Sequence, residues 1–365
     1  MQLDFFPSRT LTRYIAKLFV VRVVGVLLML VLVLQMLDLL SESGKILSQP
    51  GNSEAQLWTY VSLRLPQLVA RFLPYSALLA TIITLATLNQ NSEVVAMKAA
   101  GLSAHQVLAP LLLTALGVSA TSLAFNELVV TRSSAALKAW QAVDYGVVPR
   151  GSAGRTNVYT RDGNDILTAA SVSGEGSAMR LVGVTFYRRD VNGAIREKIV
   201  SPRANFAQPG WRLEQPVAFD VASVQQKPIA PLVVARAVTP VQVSISTIDA
   251  DGQNIVQLGR SIAALKANGR RTSELEGKWW HKLSGPLSAA LMPLLGAIAA
   301  FGLARSGQLL IRAVLGMALG FTYFVVDNAA LAMGNFGGYP PLIAAWAPFL
   351  LFLLIGETVL VKTEE

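Results

Sequence analysis

The chain has 365 residues, 53% of them hydrophobic and only 15% charged, where a soluble domain carries about 25% charged residues. It has no cysteine and two widely separated histidines, His105 and His281; this excludes disulfides, thiolate metal sites and a cysteine nucleophile, and argues against a histidine metal site or triad. The net charge is +9, and twenty basic against twelve acidic residues fall between positions 131 and 282, scattered through strand-like segments rather than clustered beside aromatic platforms as a nucleic-acid binder requires, so an anionic membrane surface or anionic lipid is the easier partner.

The apolar residues lie in long runs. A helix needs about 20 of them to cross a bilayer. Ile15–Leu40 is the first such run; it is too long for a cleaved signal, no small-residue cleavage site follows, and further runs come later. Pro66–Leu88 is the second and Val107–Val130 the third. Between them, the spacing predicts an elbow of two helix starts. Ser92 is placed to cap a short helix over Glu93–Ala100, with Gly101 just past its end. Glu93 in the first turn suits the helix dipole, and Ser103 and Gln106 have capping-box spacing. Val94, Val95 and Met97 are then available to a partner protein, the alternative being a plain amphipathic elbow on lipid.

From about Asn157 to Val238 the pattern changes to short alternating segments: Asp165–Val172, Leu181–Tyr187, Ala194–Val200, Trp211–Leu213, Val217–Val224 and Leu232–Val238. Strands without intervening helices argue for a sandwich or small barrel. Asn192-Gly193 is the strongest hairpin signal, with φ > 0 expected at both positions. Asp162 and Asp165 read as turn formers. Thr247–Ala267 reads as a helix, and Lys278, Trp279, Trp280 and Lys282 as an interfacial anchor. Three more spans follow: Leu283–Ala304, Leu309–Met333 and Pro340–Val361. The expected fold is an α-helical membrane protein of six transmembrane helices with an inserted all-β, jellyroll-like domain. The expected divisions are 1–145 for helices one to three with the elbow helix at about 92–101, 146–245 for the β domain, 246–282 for a helical connector and 283–365 for the last three helices.

Arg9, Arg13 and Lys17 before the first span, and Arg305 and Arg312 between the fourth and fifth, place both termini in the cytoplasm by the positive-inside rule. The β domain is then on the outer side. Asp38 and Asp327 fall towards the outer ends of spans one and five, where ionisable groups are functional candidates; both are near enough to the interface for solvation, and Asn328 makes a hydrogen-bonded helix contact equally plausible. Lys45, Arg64, Arg71, Arg132 and Lys138 ring the outer mouth of the first three spans, as lipid phosphate ligands or as snorkelling anchors. Glu127 reads as a solvated helix end. Gly316 and Gly320 have GxxxG spacing, and Gly296 and Gly302 also permit close helix approach.

No nucleotide-binding P-loop, nucleophile elbow or HExxH motif is present. No catalytic residue, metal ligand set or cofactor site is expected, and the chain is not read as an enzyme.

Four stretches carry a resemblance: Asn91-Ser-Glu-Val-Val-Ala-Met-Lys-Ala-Ala-Gly101, Trp280-His-Lys-Leu-Ser-Gly-Pro286, Tyr323-Phe-Val-Val-Asp-Asn328 and Gly338-Tyr-Pro-Pro-Leu342. With the three-plus-three layout around a β domain, they resemble the LptF/LptG family of lipopolysaccharide export permeases, nearest its LptG branch, over essentially the whole chain. The resemblance implies a subunit of an ATP-driven exporter in the inner membrane of a Gram-negative bacterium. It pairs there with an LptF-like permease and an LptB-like ATPase dimer, and hands lipopolysaccharide to LptC-like and LptA-like periplasmic proteins. It also implies ATPase coupling through Glu93, Val94 and Met97, and a lateral gate at spans one and five involving Gln35, Asp38, Tyr323 and Asp327. Gln35 departs from the family pattern, which has a lysine there, and Ser41 and Glu42 replace a lysine pair. Phosphate contacts must then come from elsewhere, Lys45 being a candidate, or the head group differs. Two other classes stay open: another ABC permease for lipoprotein release or efflux, and a membrane-anchored envelope enzyme. The latter needs an acid cluster or activated nucleophile at the outer face, and the sequence offers none.

Overall fold

A computed structural model describes residues 7–147, 156–174, 176–240, 242–243, 249–267, 269, 271–301 and 309–364. Gly302, Arg305 and the end of the fourth expected span fall outside them, as does the side chain of Arg312. In chain order the helices are α1 (Arg9–Leu47), α2 (Glu54–Gln90), α3 (Glu93–Ala99) and α4 (Ala104–Phe125); a π turn over Asn126–Val130 then runs into α5 (Thr131–Gln141). Eight strands follow among the described residues: β1 (Thr156–Asp162), β2 (Asp165–Ser173), β3 (Arg180–Arg189), β4 (Ile195–Phe206), β5 (Trp211–Glu214), β6 (Val217–Asp220), β7 (Gln225–Pro228) and β8 (Val233–Val234). The chain closes with α6 (Ile255–Ala267), α7 (Ser273–Phe301), α8 (Leu309–Asn335) and α9 (Pro341–Glu364).

Among the described residues, five helical stretches are long and apolar enough to cross a membrane: Arg9–Leu47, Glu54–Gln90, Ala104–Gln141, Val314–Asn335 and Pro341–Lys362. The remaining expected span lies in α7, which is helical through Phe301. Pro66 and Pro74 in α2, Pro110 in α4, Pro286 and Pro293 in α7 and Pro348 in α9 all sit inside continuous helices.

The helices and strands divide into two compact units. The first comprises Met1–Leu37, Leu65–Val130 and Asn254–Glu365. Its core joins Ile15, Phe19 and Val23 of α1, Leu85 and Leu88 of α2, Leu108 and Leu111 of α4, Leu291 and Leu295 of α7, Tyr323 and Phe324 of α8, and Phe352 of α9. Helices in lipid gain little from apolar burial against one another, so close approach at small residues matters more. A Cβ added at Gly296 would lie 2.8 Å from the Thr81 side chain. One added at Gly320 would overlap Leu78, and one at Gly334 would overlap the Cβ of Ala344. Gly320 therefore marks an α2–α8 contact. Ala344 has no rotamer to move aside, so Gly334→Val is expected to destabilise the purified chain by about 1–3 kcal/mol, the usual cost of overpacking. A melting temperature in detergent equal to wild type would contradict this packing of α8 on α9.

In the same unit α6 is seated by polar contacts. Glu127, at the π turn, accepts a hydrogen bond from Ile255 N (2.7 Å) and lies 3.8 Å from Lys282 Nζ. It is thus an anchor for α6, not the solvated helix end expected. Trp279 Nε1 donates to Ile255 O (3.0 Å), which ties one of the expected interfacial tryptophans to α6. The helix expected from Thr247 begins only at Ile255. Asn254 and Gln257 form reciprocal bonds (Gln257 N to Asn254 Oδ1, 2.8 Å; Asn254 N to Gln257 Oε1, 3.2 Å), and this capping box fixes the start.

The second unit comprises Asp38–Arg64 and Thr131–Gln253. Its helical part closes on Ile46, Tyr60, Leu137, Trp140 and Tyr145. Its sheet is antiparallel and curled, in the order β1-β2-β3-β4-β5-β8, with β6 pairing both β4 and β7. The inner face buries Val158, Leu167, Leu181, Val184, Phe186, Ile199 and Leu213 around Trp211. Gly183, at φ +63, shifts the inward alternation of β3 from Leu181 to Val184. On one side β4 pairs β3 along most of its length. On the other it pairs β6 over Glu197–Val200 and β5 over Arg203–Phe206. Ser201 sits at this fork, where its one hydroxyl proton is within reach of two acceptors, Arg203 O (2.7 Å) and Glu214 O.

Three turns differ from expectation. The β3–β4 connection carries positive φ only at Gly193 (+83). Gly193 N bonds Asp190 O (3.0 Å), and the Asp190 carboxylate accepts from Asn192 N and Ala194 N. The aspartate side chain thus stabilises a longer turn followed by a left-handed glycine, displacing the two-residue form. The expected strand Val217–Val224 stops at Asp220, where the carboxylate takes Ser223 N (2.8 Å), and Val224 turns at φ +54 into β7. Of Leu232–Val238, only Val233–Val234 pairs as strand. Asp162 and Asp165 close the β1–β2 hairpin and accept Ala237 N and Arg189 N (3.2 and 2.9 Å).

Candidate functional site

The elbow begins with Ser92, which adopts φ +58 and makes no side-chain cap. A left-handed residue turns its hydroxyl away from the free amides, so the expected cap does not form. The end of α3 is well closed. Gly101 N bonds Lys98 O (3.0 Å) and Leu102 N bonds Met97 O (3.1 Å), with Gly101 at φ +87. This paired pattern satisfies the last carbonyls and needs a left-handed residue at its centre. The predicted capping box of α4 is present: Gln106 N donates to Ser103 Oγ (3.2 Å) and Ser103 N to Gln106 Oε1 (3.0 Å).

Val94 and Met97 are only 4% and 8% exposed and belong to the core of the first unit. They hold α3 against its own chain, which corrects the expectation that they face a partner. Val95 is the large apolar residue exposed on α3, beside the small Ala96 and Ala99. Glu93 accepts hydrogen bonds from Tyr14 Oη and Asn91 Nδ2, each at 3.2 Å. Arg22 Nη2 donates to Thr87 Oγ1 at 2.9 Å.

In the second unit, Asp38 is held by a bidentate Arg64 (Nε–Oδ2 3.0 Å, Nη2–Oδ1 3.1 Å) and by Tyr60 Oη at 2.6 Å. Tyr60 and Arg64 are one helical turn apart on α2, so both reach the same acid. Lys45 Nζ is 3.0 Å from Glu42, whose other oxygen accepts from Tyr145 Oη at 2.8 Å. Burial pushes the Tyr145 phenol up to about 12, with the Glu42 carboxylate adding to the shift. Lys138 bridges Asp249 (2.7 Å) and Asp251 (2.9 Å). Arg64 and Lys138 are therefore bound by carboxylates of this chain and are not open lipid ligands. Lys45 is exposed while Glu42 is partly buried, and ion pairs with an exposed partner contribute about 0–1 kcal/mol. Arg71 and Arg132 are exposed and form no ion pair with a described residue. Asp38 was expected at the gate and not as the partner of Arg64, and Asp249 and Asp251, which hold Lys138, were not singled out in the sequence; Glu42 lies one turn before Lys45.

Of the expected gate residues, Tyr323 and Asp327 share one face of α8 in the first unit. Tyr323 is buried against Phe324 and Phe352 (ring centroids 5.2 and 5.4 Å). Asp327 is 6% exposed; its Oδ2 lies 3.9 Å from His281 Nε2, and its Oδ1 has no described partner. Gln35 is 7% exposed with neither amide atom bonded among the described residues. Asp38 belongs to the second unit, in the ion pair with Arg64. Among the described residues no group of three His, Asp or Glu side chains is placed to hold a metal ion.

Membrane-spanning helices with a curled antiparallel β domain between them define an integral membrane protein with an inserted β domain. The family model described as lipopolysaccharide export system permease LptF/LptG matches residues 13–362. The chain belongs to this family of membrane-embedded transport subunits. It is 28% identical to the lipopolysaccharide export system permease protein LptG of Escherichia coli K12, over 98% of the chain and 99% of that protein. It is 23% identical to LptG of Haemophilus influenzae, over 95% and 96%.

Proposed function

We propose that the chain is one transmembrane half of an ABC-type exporter that extracts lipopolysaccharide from the inner membrane and passes it to a periplasmic β-jellyroll bridge. The observation that carries this reading is the match of the export permease family across residues 13–362. A second permease of LptF type completes the body, an LptB-like ATPase dimer docks from the cytoplasm, and LptC-like and LptA-like proteins receive the lipid. Both termini are cytoplasmic and the β domain periplasmic, following the cations at Arg9, Arg13 and Lys17. ATP hydrolysis belongs to the partner, in keeping with the lack of a P-loop. The ATPase meets the elbow at Glu93 and the exposed Val95, with Val94 and Met97 acting as the keel beneath them.

The gate reading rests on α1 and α8. α1 leaves a continuous apolar face uncovered (Leu28, Leu32, Met36, Leu40), and α8 does the same at Phe321 and Val325. In lipid such faces admit acyl chains or a partner helix. The buried polar groups of Gln35 and Asp327 sit among these helices, where bilayer burial is costly unless a partner or ligand completes them. With Arg64 and Lys138 held by carboxylates of this chain, Lys45, Arg71 and Arg132 are the remaining candidates for lipid phosphate contacts.

Affinity purification of the full chain from its native membrane, with lipid analysis, tests the reading. An ATPase, a second permease and lipopolysaccharide should co-purify. Recovery of lipoprotein without lipopolysaccharide would overturn it in favour of a lipoprotein-release permease. Substrate turnover by the chain alone would point to an envelope enzyme.

A further inference from the structure

We propose that Tyr14 is a positioning residue for energy coupling: its hydroxyl ties the first turns of α1 to Glu93, so that displacement of α3 is delivered directly to span one. The inference rests on the exporter reading above and deepens it.

Three observations converge, all within the first unit. The phenol of Tyr14 donates to Glu93 across 79 residues of sequence, at 3.2 Å. Beneath that bond, Ile15 and Phe19 of α1 share a core with Val94 and Met97 of α3. Eight residues after Tyr14 on α1, Arg22 donates to Thr87 near the end of α2 (2.9 Å). Span one is therefore held to both sides of the Asn91-Ser92 corner. The packed core fixes the separation of α1 from α3, but close-packed apolar surfaces slide more readily than they separate. The Tyr14–Glu93 bond resists that sliding. Since α3 is only seven residues long, it has little stiffness of its own and moves as its attachments dictate.

The geometry also gives Glu93 two duties. Its carboxylate accepts from Asn91 as well as Tyr14; a carboxylate has lone pairs left after both bonds. An ATPase donor can join without displacing Tyr14, and the push is then carried from the partner through one side chain into α1. Arg22 binds Thr87 through Nη2, its Nη1 is buried and unbonded among the described residues, and neither hydrogen bond nor ion pair joins it to Glu93 there, so the α1–α3 tie at Glu93 is made by Tyr14.

The test uses the complete complex with both permeases and the ATPase, reconstituted in vesicles containing lipopolysaccharide. Tyr14→Phe removes only the hydroxyl. Complex yield and ATP hydrolysis should stay within about twofold of wild type, while lipid released per ATP falls about tenfold, the factor associated with one hydrogen bond to a charged group. Because the chain has no cysteine, spin labels at Lys17→Cys and Ala99→Cys, in a complex whose partner proteins carry no cysteine, report the α1–α3 separation. In wild type their distance should stay single and narrow through the nucleotide cycle; in Tyr14→Phe it should broaden when nucleotide is trapped. Wild-type lipid release per ATP in Tyr14→Phe, or an unchanged distance distribution, overturns the proposal. Failure of the wild-type complex itself to release lipid would instead overturn the exporter reading.

Discussion

Glu93→Lys is expected to abolish recovery of the ATPase with the purified chain while leaving the chain itself in the membrane at normal yield. Glu93 lies in the first turn of α3, where a negative charge is favoured by the dipole and a positive one is not. The substitution reverses that term, removes the acceptor for Tyr14 and Asn91, and brings a second cation towards Arg22. None of these touches the core, because Val94 and Met97 remain buried. An effect confined to assembly is therefore expected, with loss of more than about tenfold in recovered ATPase, as for a charged contact at the centre of an interface. Full recovery of the ATPase would remove Glu93 from the docking surface. Tyr14→Phe serves as the comparison, since it is expected to keep assembly and lose transport.

The second large effect concerns the β domain. Trp211 is fully buried, stacks edge-on with Phe206 (5.4 Å between centroids) and donates its indole N–H to Val238 O at 2.9 Å. Trp211→Ala should cost about 3–5 kcal/mol through the cavity, with about 1–3 kcal/mol more for the carbonyl left without its donor. That rivals the whole stability of a domain, typically about 5–15 kcal/mol. Limited proteolysis of the full chain in detergent should then cut within 156–234 at protease levels that wild type resists. Trp211→Phe keeps most of the volume and should be cut at an intermediate rate. If Trp211→Ala proves as resistant as wild type, the sheet does not depend on this core.

The long helices and the β block were legible in the sequence because each rests on a summed signal, hydropathy over many residues or alternation over several strands. The details that failed depend on single side chains choosing between nearby backbone partners. Asp190 captured two amides and lengthened the Asn192-Gly193 turn. Asn254 and Gln257 delayed the helix expected from Thr247. The site was legible in outline only. Glu93 and the capping box at Ser103 follow from local spacing. The partners of Arg64 and Lys138 do not, since Asp38 lies 26 residues from Arg64 and Asp249 lies 111 from Lys138. Val94 and Met97 looked available because a seven-residue helix shows no periodicity long enough to say which face is covered.

The strand pairings of β4 have a consequence for how the chain is made. Among the described residues, every partner of every strand lies between Thr156 and Val234. That pairing draws on no described residue of the last three helices, and consecutive hairpins from β1 to β4 keep its loops short, which favours fast folding. Ribosomes add about 5–20 residues per second, so the hundred or more residues from Val234 to the end of α9 take several seconds to emerge. The β domain has that interval in which to become a finished body while the C-terminal helices are still being synthesised.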